Sequence, residues 1–247
     1  MGGRELSAAK ADVLRGLHAG PAPLLLPNTW DVASAVAVAR HPACRALATT
    51  SAGVARSLGW EDGELIPAER MLDAVARIAA AVELPVTADL EAGYGNPVET
   101  ACAAWEAGAV GLNLEDRNEP LGEQCERITA VRAAVPELIV NARTDVFIGG
   151  SGDPDEAIER ANAYLAAGAD CAFAIGLVDG ATIGRLASAI EGPLNVLATA
   201  ASPPVEELAR LGVRRISLGS GLHRASLAAT EAGAAELFEH GTYGFLA

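Results

Sequence analysis

The sequence predicts a single-domain (β/α)8 barrel of the TIM type, and three observations carry that prediction. Short apolar runs alternate with amphipathic helical segments along the chain, eight of each. The segments EAGAVGLNL, AAGADCAFAI and RLGVRRISL read as one helix-end-to-strand turn used three times, with Gly as a left-handed helix cap. Eight strand-helix units in 247 residues also match the size of this barrel. An open doubly wound sheet is the rival, but no GxGxxG follows the first strand.

The elements follow in order. Leu24–Pro27 is the first strand, and Asp31 stands where the N-cap of the next helix belongs. Ala46–Thr50 is the second strand, followed by a helix over Ala68–Val82 with apolar residues at helical spacing. Pro85–Leu90 is the third strand, and a helix starts at Pro97, where proline suits the first turn. Gly111–Leu114, Leu138–Arg143 and Cys171–Ile175 are strands four to six. Helices over Glu123–Val135 and from Asp153 to Ala167 separate them. Ala181–Ile190 is helical, Leu194–Ala198 is strand seven, Pro204–Leu211 is helical and Arg215–Leu218 is strand eight. A final helix covers about 225–240, and 225–247 forms the C-terminal helix and tail of a domain spanning 1–247.

Composition narrows the function. The formal charge is −14, from 18 Lys and Arg against 32 Asp and Glu. Phosphate contacts need clustered cations, so nucleic acid and anionic membrane surfaces are poor partners. A small anionic substrate stays open, because a local Arg or a metal inverts the field in a cleft. Cys44, Cys102, Cys125 and Cys171 are widely spaced without a CxxC pair, which fits small buried hydrophobes in a reducing cytosol. No apolar leader or 18-residue apolar stretch is present, and the expectation is a soluble cytoplasmic protein. His18, His41, His223 and His240 fall in or beside helices and read as surface or helix-end residues.

Charged residues are rare inside the strands and gather at their C-terminal ends, where barrel enzymes keep their chemistry. Asp89 and Glu91 end strand three in TADLEAGYGN, and Asn113, Glu115 and Asp116 end strand four. Asp89, Glu91 and Glu115 crowd one low-dielectric mouth, which protonation, Arg143 or a divalent cation would relieve. Hard oxygen donors without a His or Cys cluster favour Mg2+ or Mn2+ over Zn2+. Asp116 reads as structural. Arg143 in LIVNART either binds a substrate carboxylate bidentately or neutralises Asp89 or Glu115. TTSAG, at Thr50, Ser51 and Ala52, either brings backbone N–H groups to an anion or simply turns the chain, and SLGSG after strand eight has the same two readings. Asp62 follows strand two, and Asn195 lies on strand seven.

Together, SAGVARSLGWEDG, ADLEAGYGN, GLNLED and NARTD, in this order, resemble the isocitrate lyase and phosphoenolpyruvate mutase superfamily from about Leu24 to Arg224. Within it, the chain resembles the 2-methylisocitrate lyase-like members. The resemblance implies an α/β barrel that binds Mg2+ and acts on 2-oxo acids, or acids that yield them, through an enolate-like species. It implies metal roles for Asp89, Glu91 and Glu115, with Glu91 standing where relatives usually have Asp. It further implies an acidic role for Asp62, a substrate-carboxylate role for Arg143, oxo-acid contacts from Thr50, Ser51 and Ala52, and a substrate-side Asn195. A homo-oligomer, dimer or tetramer, is implied as well.

The gating loop departs from the family. Family lyases carry KKCGH or KRCGH after strand four, whereas this chain reads DRNEPLGEQCER, with Cys125 in the following helix. Ile175 stands where the lyases place a Glu on strand six. The expected function is therefore a Mg2+-dependent carbon–carbon lyase or decarboxylase. Phosphonopyruvate-type P–C chemistry and a non-catalytic oxo-acid-binding barrel are the alternatives.

Overall fold

The computed structural model describes residues 3–149 and 152–246. Nine parallel strands form one sheet that curls into a nearly closed barrel: β1 (Leu24–Leu26), β2 (Asn28–Thr29), β3 (Leu47–Thr49), β4 (Val86–Asp89), β5 (Gly111–Glu115), β6 (Ile139–Thr144), β7 (Cys171–Ala174), β8 (Leu194–Leu197) and β9 (Arg215–Ser217). The expected eight strands become nine because the first is split at Pro27. Proline has no N–H to donate, so the ladder cannot run through it. Leu24–Leu26 pairs with β9 and Asn28–Thr29 pairs with β3, so the change of partner at Pro27 joins the two edges of the sheet. Asn28 fastens that seam. Its Nδ2 donates to the Thr49 carbonyl at 2.7 Å, and its Oδ1 accepts from the Leu218 N–H at 2.8 Å.

Helices α1 (Gly3–His18), α2 (Val32–Ala39), α3 (Ser51–Ser57), α4 (Ala68–Ala80), α5 (Pro97–Glu106), α6 (Leu121–Ala134), α7 (Pro154–Ala166), α8 (Gly180–Ala189), α9 (Val205–Arg210) and α10 (Gly221–Ala235) accompany the strands. Local chemistry starts several of them as expected. Asp31 and Ser34 form a capping box, while Asn96 with Pro97 and Asp153 with Pro154 open α5 and α7. The thrice-used turn is also as expected: Gly108, Gly168 and Gly212 are left-handed, with φ of 89°, 110° and 96°.

Two helices lie outside the expected set. The first, α1, precedes β1 and buries Ala11 and Leu14 completely in the core, and its Arg15 reaches the Glu137 carbonyl. The spacing of Ala11, Leu14 and His18 puts all three on one helical face. The second is short α3, which starts within TTSAG. The last helix begins at Gly221 rather than near Ala225 and ends in a π-helical turn, Glu236–His240.

The core is built of small aliphatics from the sheet and the inner helix faces, including Ala88, Leu112, Leu114, Val140, Ala142 and Val196. Among the described residues, no helix is long and apolar enough to cross a membrane. Two of the histidines lie at helix ends, as expected, but inside the fold and not on its surface. His18 and His223 are buried, and His223 packs edge-on against Trp30 with ring centroids 5.0 Å apart.

Candidate active site

Strand register brings the predicted residues together. Asp89 pairs with Asn113, Asn113 with Asn141, and Glu115 with Arg143 across β4, β5 and β6. Residues two apart on a strand share a face, so Asn113 and Glu115 line the barrel with Asn141 and Arg143.

Asp89 is held from three directions. Its Oδ2 accepts from the Ser51 N–H at 3.0 Å and from Ser51 Oγ at 3.1 Å, and its Oδ1 accepts from Asn113 Nδ2 at 3.1 Å. In TTSAG, the Ser51 N–H and hydroxyl are both given to the Asp89 carboxylate. Thr50 caps α3, accepting from the Gly53 N–H, and the first N–H of the helix points at the Asp89 carboxylate. Ala52 follows, half-buried in the same turn.

Glu91 reaches the mouth by an unexpected route. The strand ends at Asp89, and Glu91 is left-handed with φ 54°, so a tight turn rather than strand alternation aims its side chain. Gly93 continues that turn with φ 95°. A Cβ there would sit 2.7 Å from Pro97 Cα, so only glycine fits. Glu91 Oε1 accepts from the Glu64 N–H at 3.0 Å, and Glu64 Oε1 accepts in return from the N–H groups of Ala92 and Tyr94.

Cations balance part of this charge. Arg143 Nη1 lies 2.6 Å from Glu115 Oε2, and its Nε lies 2.6 Å from Asp145 Oδ1. Arg117 Nε lies 3.2 Å from Glu115 Oε1, while its Nη2 lies 3.1 Å from Glu64 Oε2 and 3.7 Å from Glu91 Oε2. Burial nevertheless pushes Glu91 up to about 7, and Asp62, Asp89 and Glu115 add to the rise. Burial also pushes Glu115 up to about 7. Arg143 opposes that shift, while Asp145 and Asp89 reinforce it.

Asp62 is exposed on the loop before α4 and acts on Glu91 through its charge. Asp116 is fully buried and structural. It accepts from Tyr164 Oη at 2.6 Å, Arg160 Nη1 at 3.2 Å and the N–H groups of Asn118 and Asp145.

Polar residues continue below the mouth, where barrels of this type usually stack branched apolar side chains. Asn141 Nδ2 donates to Asn113 Oδ1 at 2.7 Å, and fully buried Arg215 reaches the same oxygen at 3.3 Å. Asn195 is completely buried in this floor, not at the rim, with Nδ2 3.4 Å from Ser217 Oγ. At the base, the His18 ring lies 3.4 Å from Arg215 Nη1, with its Nδ1 2.9 Å from the Leu14 carbonyl. The sequence reading missed Glu64, Arg117 and Arg215. The DRN step right after the Glu115–Asp116 pair was the available signal for Arg117.

Asp89, Glu91 and Glu115 are the candidates for a metal. Among the described residues, no three His, Cys, Asp or Glu side chains are grouped to hold an ion by themselves. Burial has raised two of the three carboxylates, so the donor set is one that a hard cation would relieve.

The phosphoenolpyruvate phosphomutase family model matches residues 14–238. An uncharacterized protein of Mycobacterium tuberculosis (strain H37Rv) is 34% identical over 217 residues, covering 85% of this chain and 83% of that one. The oxaloacetate decarboxylase of Ectopseudomonas mendocina is 33% identical over 193 residues, covering 70% of this chain and 65% of the decarboxylase. Among solved structures, oxaloacetate acetylhydrolase in complex with its product oxalate superposes with a TM-score of 0.86 at 26% identity, covering 96% of this chain and 89% of that one. With the match running through the barrel and every loop of its mouth, the chain belongs to the phosphoenolpyruvate phosphomutase family, within the isocitrate lyase and phosphoenolpyruvate mutase superfamily of enzymes.

Proposed function

We propose that this enzyme is a Mg2+-dependent carbon–carbon lyase or decarboxylase acting on a small 2-oxo acid, a dicarboxylate or a 2-hydroxy acid precursor. The observation that carries the reading is the grouping of half-buried Asp89 and buried Glu91 and Glu115 with the Arg143 guanidinium at one mouth. The names of the decarboxylase relative and of the oxalate-bound hydrolase support a short dicarboxylate as the ligand class.

Bound beside Asp89, Mg2+, or Mn2+ in its place, would supply Lewis-acid polarisation of the 2-oxo group. The chain supplies the rest. Arg143 holds a substrate carboxylate through Nη2, the nitrogen bonded to neither Glu115 nor Asp145, and that grip fixes which bond stands ready to break. Ser51 and Asn113 keep the Asp89 carboxylate aimed at the mouth, and Thr50 and Ala52 position the α3 turn that carries Ser51. Glu115 orients Arg143, and Asp62 adds negative field from the rim. Asn195 serves the substrate indirectly, by stiffening the floor.

Cys125 is not assigned the acid/base role. It is half-buried in α6, and burial pushes its thiol up, the reverse of what a reactive thiolate needs. Exposed Phe238, Tyr243 and Leu246 at the C-terminal end support assembly into a homo-oligomer. A cytoplasmic setting accords with four free cysteines.

The second reading is P–C bond chemistry, favoured by the phosphomutase family model itself. Proton and phosphorus NMR of a panel containing oxaloacetate, 2-hydroxy diacids and phosphonopyruvate separates the two. The lyase reading expects pyruvate or another cleaved oxo acid, formed only with Mg2+. Turnover of phosphonopyruvate alone transfers the assignment to P–C chemistry, and oxalate binding without any turnover leaves a binding protein.

A further inference from the structure

Five non-glycine residues are left-handed among those described: Glu64, Glu91, Tyr94, Arg117 and Asn118, with φ between 49° and 61°. All five lie on three of the loops at the mouth, where such strain needs strong local compensation. Arg117 links those loops. Its guanidinium meets Glu64 before α4, Glu91 after β4 and Glu115 at the end of β5. One cation gathering carboxylates from separate loops does the electrostatic work of a divalent ion.

Its mounting suits exchange. The backbone beside it is pinned, because buried Asp116 accepts from the N–H of Asn118, from Tyr164 and from Arg160. The Arg117 side chain is 37% exposed, so it can turn outward over a fixed backbone. Arg143 cannot do the same. It is only 18% exposed and is held in the wall between Glu115 and Asp145.

We infer that Arg117 is a resident cation that occupies the carboxylate mouth of the metal-free enzyme and that a divalent metal must displace. Arg117 is therefore a positioning residue, with the guanidinium and the metal competing for Glu91 and Glu115. The inference rests on the metal reading proposed above. It adds that metal affinity in the free enzyme is set partly by this side chain, and that metal loading frees an arginine at the rim.

The test is Mn2+ binding to the full chain, followed by electron paramagnetic resonance, for wild type and Arg117→Gln. The expected result is Mn2+ binding at least about tenfold tighter in Arg117→Gln, which is about 1.4 kcal/mol. Equal or weaker binding in a folded variant overturns the inference and leaves the metal reading intact. Failure of both proteins to bind Mn2+ removes the metal reading and the inference together. A measurement on wild type guards against a misfolded variant. The Arg117 Nε–H resonance, bonded to Glu115 without metal, is expected to move to the free-arginine position as Mg2+ saturates the protein. An unmoved resonance at saturation overturns the inference.

Discussion

Arg143 Nη1 sits 2.6 Å from Glu115 Oε2, and the two residues are direct register partners on β6 and β5. The same guanidinium meets Asp145 through Nε, so one cation offsets two nearly buried carboxylates. Arg143→Met leaves Asp145 without its cation and Glu115 with Arg117 alone. Breaking a buried pair from one side costs on the order of 3 kcal/mol, so denaturant titration of this variant is expected to show a loss of that size. Arg143→Lys restores charge but not the planar fork, and its oxalate affinity is expected to stay well below wild type.

Glu91 gives the metal-free protein an unusual pH dependence. Its folded-state pKa is raised to about 7 from an ordinary value of 4.5. Between those pH values the folded chain holds a proton that the unfolded chain has lost, so stability falls as pH rises through the window and then levels off. Glu91→Gln removes that loss. Its stability relative to wild type is expected to grow by about 2 kcal/mol from pH 5 to pH 8, read from urea midpoints without divalent metal. A constant difference would contradict this assignment.

Tyr164 serves the mouth from a distance. Its hydroxyl donates to Asp116 at 2.6 Å, and Asp116 pins the backbone N–H groups of Asn118 and Asp145. A hydrogen bond to a buried charged group contributes about 1.5–3 kcal/mol. Tyr164→Phe is expected to lose that much stability and to loosen the 116–119 loop, seen as faster amide exchange there and unchanged exchange in α1.

At the other end of the barrel, His18 produces the opposite slope. Burial and the neighbouring Arg215 lower its pKa from 6.5 to about 3. The unfolded chain takes up a proton that the folded chain refuses, so this contribution is complete above pH 6.5 and is lost as pH falls toward 3. The His18 ring is expected to keep its neutral-form carbon shifts at pH 5. A midpoint near 6.5 would contradict the burial of this ring against Arg215.

The barrel was legible because each strand is a short apolar run and each helix end carries its own chemistry, as at Asp31, Asn96 and Gly168. Asp89, Glu115 and Arg143 were legible for a related reason: a charge that ends an apolar strand has few places to point except the mouth. Glu64 and Arg117 were hidden because left-handed turns and ion pairs between loops position them, and neither leaves a periodic trace. The division of the first strand followed from Pro27, whose missing N–H signals a break but not a change of partner. Helix α1 is faint in the sequence because its buried face is narrow, Ala11, Leu14 and His18 among charged and small neighbours. His18 and His223 stand at helix ends, and nothing in their local sequence separates a ring turned into the core from one turned to water.

Asp89, Glu91 and Glu115 are proposed to hold a divalent cation against which a short dicarboxylate binds. Titration calorimetry of oxalate into wild type and Asp89→Ala, each with and without Mg2+, tests it most directly. Wild type is expected to bind oxalate only in the presence of Mg2+, and Asp89→Ala is expected to weaken this binding by about 100-fold. Oxalate binding of equal strength without metal, or binding that survives Asp89→Ala unchanged, would contradict it.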